Sequence, residues 1–514
     1  MTDNSQGNKR IARNSLFMSL RMIFVLSLTF YATRAVLDIL GKVDYGVYNT
    51  VCGFVSLFSF LNLSVSNGIQ RFYNFELDRN GTKGACRVYN TALRIQFFTS
   101  LLLFIVIETA GVWYINHKLI CPADRLEAAM WAFHYSAVGF TLTILQAPYS
   151  AAIMAHEKMD FYAMVSVLDA FLKLGIVFLL PYICFDNLAT YAALYASINL
   201  LNLLLYALYA KWHFPEIKFR RLIDKQLFRS MIGFSGWNIF GSFSGIMKEQ
   251  GINLIINFFC GPVVNAARAL AAQINAGLMA FVSNIIIPVR PQVVQSYANG
   301  NFNRTLRLTY GVSRVTSCVI ALITLPIILD THFILHIWLG NNVPEYTGTF
   351  IIIVILISFV NNLNSAVSGV IHASGQMMLY QTVSSSVSLM CIPTAYLLFK
   401  YGFSPNYSLL MVLLWTTISQ YVSLLIMKRV INYTLTSYLK EVIWPLTKTI
   451  ALSALIPLAI RLNMEEGWPR FLLIGTASVL MTALCSYLFA LQTTEKEMAK
   501  EYCKKITQKW TLKR

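Results

Sequence analysis

Apolar runs of about 18 or more residues recur along the whole chain, each long enough to cross a hydrocarbon core of about 30 Å as a helix rising about 1.5 Å per residue. That recurrence makes the bilayer the solvent for most side chains. Composition agrees, since 12% of the 514 residues are charged and 56% are hydrophobic, whereas a water-soluble domain carries about 25% charged residues. The runs predict about fourteen spans, near 15–40, 45–72, 89–115, 127–154, 160–184, 188–210, 230–258, 263–288, 308–329, 346–371, 379–400, 405–427, 442–462 and 470–491. The expected class is an all-α polytopic membrane protein. The polar, basic segment 1–14 followed by a long apolar run reads as a retained first helix, with no small-residue cleavage site behind a short apolar core.

A formal charge of +18 would suggest nucleic acid in a soluble protein, so its placement decides its meaning. One alternate set of loops holds most of the basic residues, among them Lys83, Arg87, Lys218, Arg221, Arg304 and Arg314, together with the Lys-rich tail. The other set holds only Lys42, Lys118, Arg125, Lys400, Arg461 and Arg470. Positive residues favour the cytoplasmic side, so both termini are expected there, which requires an even number of spans. Topology accounts for the charge, and no nucleic-acid partner is implied. The nine cysteines are scattered without a CxxC pair, giving neither a disulfide framework nor a metal signature.

The chain repeats internally. Asn80-Gly81, after the second span, matches Asn299-Gly300 after the eighth, and Arg94 matches Arg314. Further on, Met159 and Tyr162 match Met377 and Tyr380, so both registers give a step of about 219 residues. Six spans per repeat leave the halves in the same orientation, related by an axis along the membrane normal. The expected organisation is a lobe at 1–210, a basic linker at 211–229, a second lobe at 230–428, two added helices within 429–491 and a basic tail at 492–514. No loop exceeds about 20 residues, which leaves no room for a soluble catalytic domain. The outer loops near 116–126 and 330–345 are too short for a polymerase or ligase that bears its catalytic Arg or His on a large outer loop, and an enzyme is not expected.

Charges inside the spans are informative because each is costly unless it faces a cavity or a partner. They are Arg21, Arg34 and Asp38 in helix 1, Glu108 in helix 3, His134 in helix 4, Asp169 and Lys173 in helix 5, Lys248 and Glu249 in helix 7, Arg268 in helix 8 and Lys448 in helix 13. Arg268, Lys248, Arg34 and Arg21 could form a cationic path for an anionic head group, since an Arg fork binds two phosphate oxygens at once. Lys248 and Arg268 have no acidic neighbour at helical spacing, and Glu249 points about 100° away from Lys248. Asp38, Asp169, Lys173 and Glu249 are candidates for coupling to a proton or sodium gradient, with no other cofactor implied. The bland alternatives are that Arg34/Asp38 and Asp169/Lys173, both spaced i, i+4, are neutralised structural pairs. Arg21 could equally snorkel to the cytoplasmic face, and Glu108, near a helix end, reads as solvated. Aromatic residues at helical spacing read as core or lipid-facing, with Trp113, Trp131, Trp338 and Trp468 near the outer interface. The turn Asp78-Arg79-Asn80-Gly81-Thr82-Lys83 looks like that of major facilitator transporters, but its repeat partner keeps only the Asn-Gly.

The segment Leu40-Gly41-Lys42-Val43-Asp44-Tyr45-Gly46-Val47-Tyr48-Asn49, with Phe60-Leu61 and Gln70-Arg71-Phe72 after it, resembles the signature of bacterial polysaccharide flippases of the Wzx type. That superfamily also holds the MATE drug exporters and the lipid II flippase MurJ. The resemblance implies two six-helix lobes around a cavity and alternating access. It further implies transfer of a polyprenyl-pyrophosphate-linked oligosaccharide across a bacterial inner membrane for surface polysaccharide synthesis. Polymerase and glycosyltransferases would be partners alongside membrane lipids. It also implies that Arg34 and Arg268, on helices that carry functional arginines in the MurJ branch, contact the diphosphate. The competing expectation is an ion-coupled exporter of MATE or major facilitator type.

Overall fold

A computed structural model describes residues 3–219, 224–492 and 495–496, with side chains described outside 3–21, 23, 234–238 and 288. Twelve helical stretches among the described residues are long and apolar enough to cross a membrane. Three stretches are too long for single crossings. Phe24–Ser56 and Ser59–His117 have 33 and 59 residues, and Ile239–Ile287 has 49, where about 20 suffice. Each is broken at a glycine: Gly41 (φ 75°, ψ 172°), Gly81 (φ 58°, ψ −150°) and Gly261 (φ 77°, ψ −175°). A side chain is excluded from that backbone region, so glycine alone ends one helix and starts the next without a loop.

With those breaks the described residues form, besides a short helix at Thr331–Leu339, fourteen helices of membrane-crossing length, as the hydropathy predicts. They are α1 (3–40), α2 (42–80, with a turn at 57–58), α3 (82–117), α4 (Leu126–Ala155), α5 (Met159–Tyr182), α6 (Asn187–His213), α7 (225–260) and α8 (262–298). Then come α9 (Phe302–Leu329), α10 (Thr347–Ala373), α11 (Met377–Lys400), α12 (Asn406–Val430), α13 (Leu435–Asn463) and α14 (Trp468–Ala490). The repeat is legible in the backbone: Gly41 and Gly261, one step apart, take nearly the same conformation. Starts are fixed by side-chain caps, Asp186 accepting from the amides of Leu188 and Ala189, Asp224 from Leu227 and Asn301 from Arg304.

The chain divides into two compact units. The first comprises Met1–Leu270 with Asn341–Thr347 and Leu389–Ser408, so that α7 and the start of α8 are grouped with α1–α6. Its core has small residues where helices meet: Ala129, Ala132 and Ala137 of α4 are buried with Val47, Val51, Ile107 and Phe133. Gly111 of α3 lies against the Phe133 ring, and a Cβ there would sit 2.0 Å from a ring carbon. Close approach at small residues is how helices pack where lipid supplies no hydrophobic drive. The opposite face of α3 exposes Phe97, Phe98, Leu101, Leu102 and Ile105, an apolar surface suited to acyl chains.

The second unit comprises Ala271–Gly340, Gly348–Ser388 and Leu409–Arg514. Tyr310 of α9, Val367 and Val370 of α10, Met427 of α12 and Tyr438 of α13 form its core. The added pair α13–α14 packs on α9, with Leu325, Leu329 and Ile474 buried together. Two buried charges, one near the middle of α9 and one just past its C-terminal end, are neutralised from α14 or the residues after it. Arg314, 1% exposed, donates to Glu495 at 2.6 Å and to the Glu441 carbonyl at 2.9 Å. At the C-terminal end Asp330, 2% exposed, pairs with Arg470. Both arginines read as loop charges in the sequence; the structure places them inside the second unit's packing.

Candidate functional site

Lys248 and Glu249 sit on a π-helical turn, Met247–Gly251, in the middle of α7. A π turn inserts one residue into the helix and rotates the residues after it, and such turns concentrate at functional positions. Here it brings Glu249 toward α8, where Arg268 Nη2 lies 2.6 Å from Glu249 Oε2. Arg268 is 5% exposed, and its Nε has no hydrogen-bond partner although it is buried. The arginine therefore does have an acidic neighbour, supplied across the Gly261 break and not by helical spacing. Lys248, on the same turn, is half-buried and makes no ion pair among the described residues. The turn and Arg268 thus hold two cations and one carboxylate on adjoining helices, with one buried N–H in reserve.

The remaining predicted residues fall into separate pairs. Arg34 Nε is 3.9 Å from Asp38 Oδ2, both half-exposed, and Asp38 also accepts from Asn342 at 2.8 Å. Lys173 Nζ lies 2.7 Å from Asp169 Oδ2, and Asn202 donates to the other Asp169 oxygen at 2.7 Å. This second pair lines an open cavity of about 630 Å3 walled by α1, α2, α4, α5 and α6 within the first unit. Neither Arg34, Lys248 nor Arg268 lines that cavity. Arg21 lies outside the described side chains. Glu108 is not simply solvated, since its Oε2 is 2.7 Å from His134 Nδ1.

The segment Leu40–Asn49 has a structural account. Gly41 makes the α1–α2 break, and the Lys42 ammonium donates to the Val343 carbonyl at 3.0 Å. Asp44 receives a two-pronged contact from Arg125, whose Nη1 also reaches Asp186 at 2.6 Å. Gly46 lies so close to the α7–α8 break that a Cβ would fall 1.9 Å from the Pro262 carbonyl oxygen. One turn on, Thr50 accepts from Asn265 and the Asn49 carbonyl from Asn253. Tyr45, Tyr48 and Asn49 line the cavity as well. The segment thus joins α2 to α7–α8 with one face and builds the cavity wall with the other.

Sequence reasoning missed Arg125, Asp44 and Asp186 as a cluster, and also the buried set Glu216, His156 and Tyr73. Glu216 Oε1 accepts from Tyr73 at 3.0 Å and lies 2.5 Å from His156 Nε2, pinning the start of the 211–229 linker. Their one signal in sequence is that Glu216 is one of only two carboxylates, with Asp224, in an otherwise basic linker.

No family model matches the chain, and no curated protein matches it by sequence. Solved structures do. The lipid II flippase MurJ in an inward closed conformation matches 92% of this chain and 98% of its own, with 14% identity and a TM-score of 0.64. An inward-facing multidrug resistance MATE family transporter of the MOP superfamily matches 79% and 97%, with 12% identity and a TM-score of 0.60. The fold is the one that MurJ and the MATE transporters share. A eukaryotic MATE transporter, 17% identical, matches 83% of this chain and 96% of its own at 0.54. The MATE matches therefore leave more of this chain uncovered than MurJ does.

Proposed function

We propose that this chain is a flippase that carries polyprenyl-pyrophosphate-linked oligosaccharide repeat units from the cytoplasmic to the outer leaflet of a bacterial inner membrane, by alternating access, for surface polysaccharide synthesis. The observation that carries the reading is the match to the lipid II flippase over 92% of the chain, helices α13 and α14 being needed for so wide a coverage. The chemistry of the π turn supports it. A pyrophosphate leaving water needs charge-assisted donors, and Arg268 with Lys248 supplies them. Glu249 holds Arg268 in the absence of substrate, as an internal stand-in for the anion. Protonation of Glu249 would release the guanidinium to phosphate, which gives a proton gradient a point of purchase.

The test is a strain in which Arg268 and Lys248 are both replaced by Ala. Surface glycan is expected to disappear while the protein remains in the membrane at normal level. Normal glycan in that strain would remove the site assignment.

A second reading, an ion-coupled small-molecule exporter, is favoured by the likeness to multidrug MATE transporters. Drug resistance on overexpression, with intact surface glycan on deletion, would select it.

A further inference from the structure

The cavity inside the first unit has a chemistry different from that of the π turn. At about 630 Å3 it falls within the usual range of small-molecule sites, about 300–1,000 Å3. Its walls are aromatic and polar together. Tyr48 and Tyr191 meet edge to face at 4.8 Å, and the Tyr195 ring lies 4.7 Å from the Lys173 ammonium. Asn49 and Asn199 add amides. The tyrosines that look like core or lipid-facing residues in the sequence are lining residues here.

Four aliphatic hydroxyl groups of the wall are already spent as donors. Thr29, Thr33 and Thr143 each donate to the carbonyl four residues back, at 2.8, 2.9 and 3.1 Å, and Ser136 does so to Ala132 at 2.7 Å. What they can offer an occupant is lone pairs. An occupant that brings donors of its own suits these four positions. Charge restricts it further, because Asp169 and Lys173 neutralise each other and Asn202 takes the remaining carboxylate oxygen. A pyrophosphate has no donors and would lie against Asp169; an organic cation would lie against Lys173. A neutral molecule rich in hydroxyl groups, which donate to the spent hydroxyls and accept from the tyrosines and amides, and with apolar C–H faces to lay on the rings, fits this wall.

We propose that this cavity is a saccharide subsite that receives the neutral sugar portion of the carried molecule, apart from the cations that would hold its diphosphate. The proposal rests on the flippase reading for its biological ligand but not for its test. Cys52 lines the cavity, is partly exposed, and lies 3.3 Å from Ser136 Oγ, so its thiol reports occupancy.

The full chain in lipid nanodiscs would be treated with a small maleimide, and Cys52 modification followed by peptide mass spectrometry. The panel comprises lactose, maltotriose and the disaccharide of N-acetylglucosamine, with tetraphenylphosphonium and inorganic pyrophosphate as the charged comparators. At least one neutral saccharide is expected to slow modification about tenfold or more at saturation, and Tyr195→Ala and Asn199→Ala to remove that protection in protein that still elutes as a single species. Equal rates with every saccharide overturn the proposal. So does protection by tetraphenylphosphonium or pyrophosphate alone, or a Cys52 that does not react without ligand. Failure of the flippase reading shows separately, as intact surface glycan in a deletion strain.

Discussion

Arg268 reaches back across the Gly261 break to Glu249, Nη2 to Oε2 at 2.6 Å, and so ties the π turn of α7 to the first turns of α8. Only the arginine is deeply buried, with 7% of its side chain exposed against 36% for the glutamate. Neutralising Glu249 therefore leaves a buried charge unpaired, which is worse than removing the pair.

For Glu249→Gln a loss on the order of 2–3 kcal/mol is expected, read as a lower thermal midpoint of the detergent-solubilised protein. Combining it with Arg268→Gln should cost less than the two single losses together. Strictly additive losses would show that the two side chains do not interact.

Three glycines should respond to alanine in opposite directions. Gly46→Ala places a methyl on the Pro262 carbonyl and should destabilise by about 1–3 kcal/mol. Gly41→Ala meets open space but a φ of 75°, and strain alone should cost about 1–3 kcal/mol. Gly175, inside α5 with nothing within 4 Å of a Cβ, should gain about 0.5–1 kcal/mol as alanine. Thermal midpoints would rank them, and a destabilised Gly175→Ala would contradict the packing of α5.

Near the middle of α9, Glu495→Gln leaves the Arg314 guanidinium, 1% exposed, without its carboxylate. A loss of about 3–5 kcal/mol is expected, and Arg314→Met in the same chain should recover much of it. No recovery in the double variant would mean that Glu495 acts through some other contact.

Whole-cell labelling with a membrane-impermeant maleimide tests the orientation that the charge pattern implies. Cys184, exposed in the turn between α5 and α6, should be modified from outside, and Cys184→Ser should remove most of the signal. The buried Cys86, Cys318, Cys391 and Cys485 should stay unmodified. Modification of Cys184 only after permeabilisation would reverse the topology.

Much of the fold is legible in sequence because the bilayer imposes it locally: run lengths yield fourteen helices, and the Asn-Gly turns at 80–81 and 299–300 mark the repeat. The pairs at helical spacing, Arg34/Asp38 and Asp169/Lys173, are equally readable, since neighbours one turn apart must meet. The other pairings are long-range. Arg268 finds Glu249 19 residues back across a break, Arg125 finds Asp44 81 residues back, and Arg314 finds Glu495 181 residues on. No local period encodes such contacts. The cavity is hidden for a related reason: its tyrosines come from α2, α4 and α6, and each alone looks like any apolar-face aromatic.

The two buried charges of α9 and its C-terminal cap bear on how such a chain can change over generations. Arg314 and Asp330 are each satisfied from beyond α12, by Glu495 and Arg470. A gene truncated after α12, or a crossover that imported a foreign C-terminal segment, would strand two opposite buried charges, one inside α9 and one at its C-terminal end. Either partner could then be lost only along with its counterpart elsewhere in the gene. The last two helices and α9 are therefore bound to be inherited as one block, even though more than a hundred residues separate them in sequence.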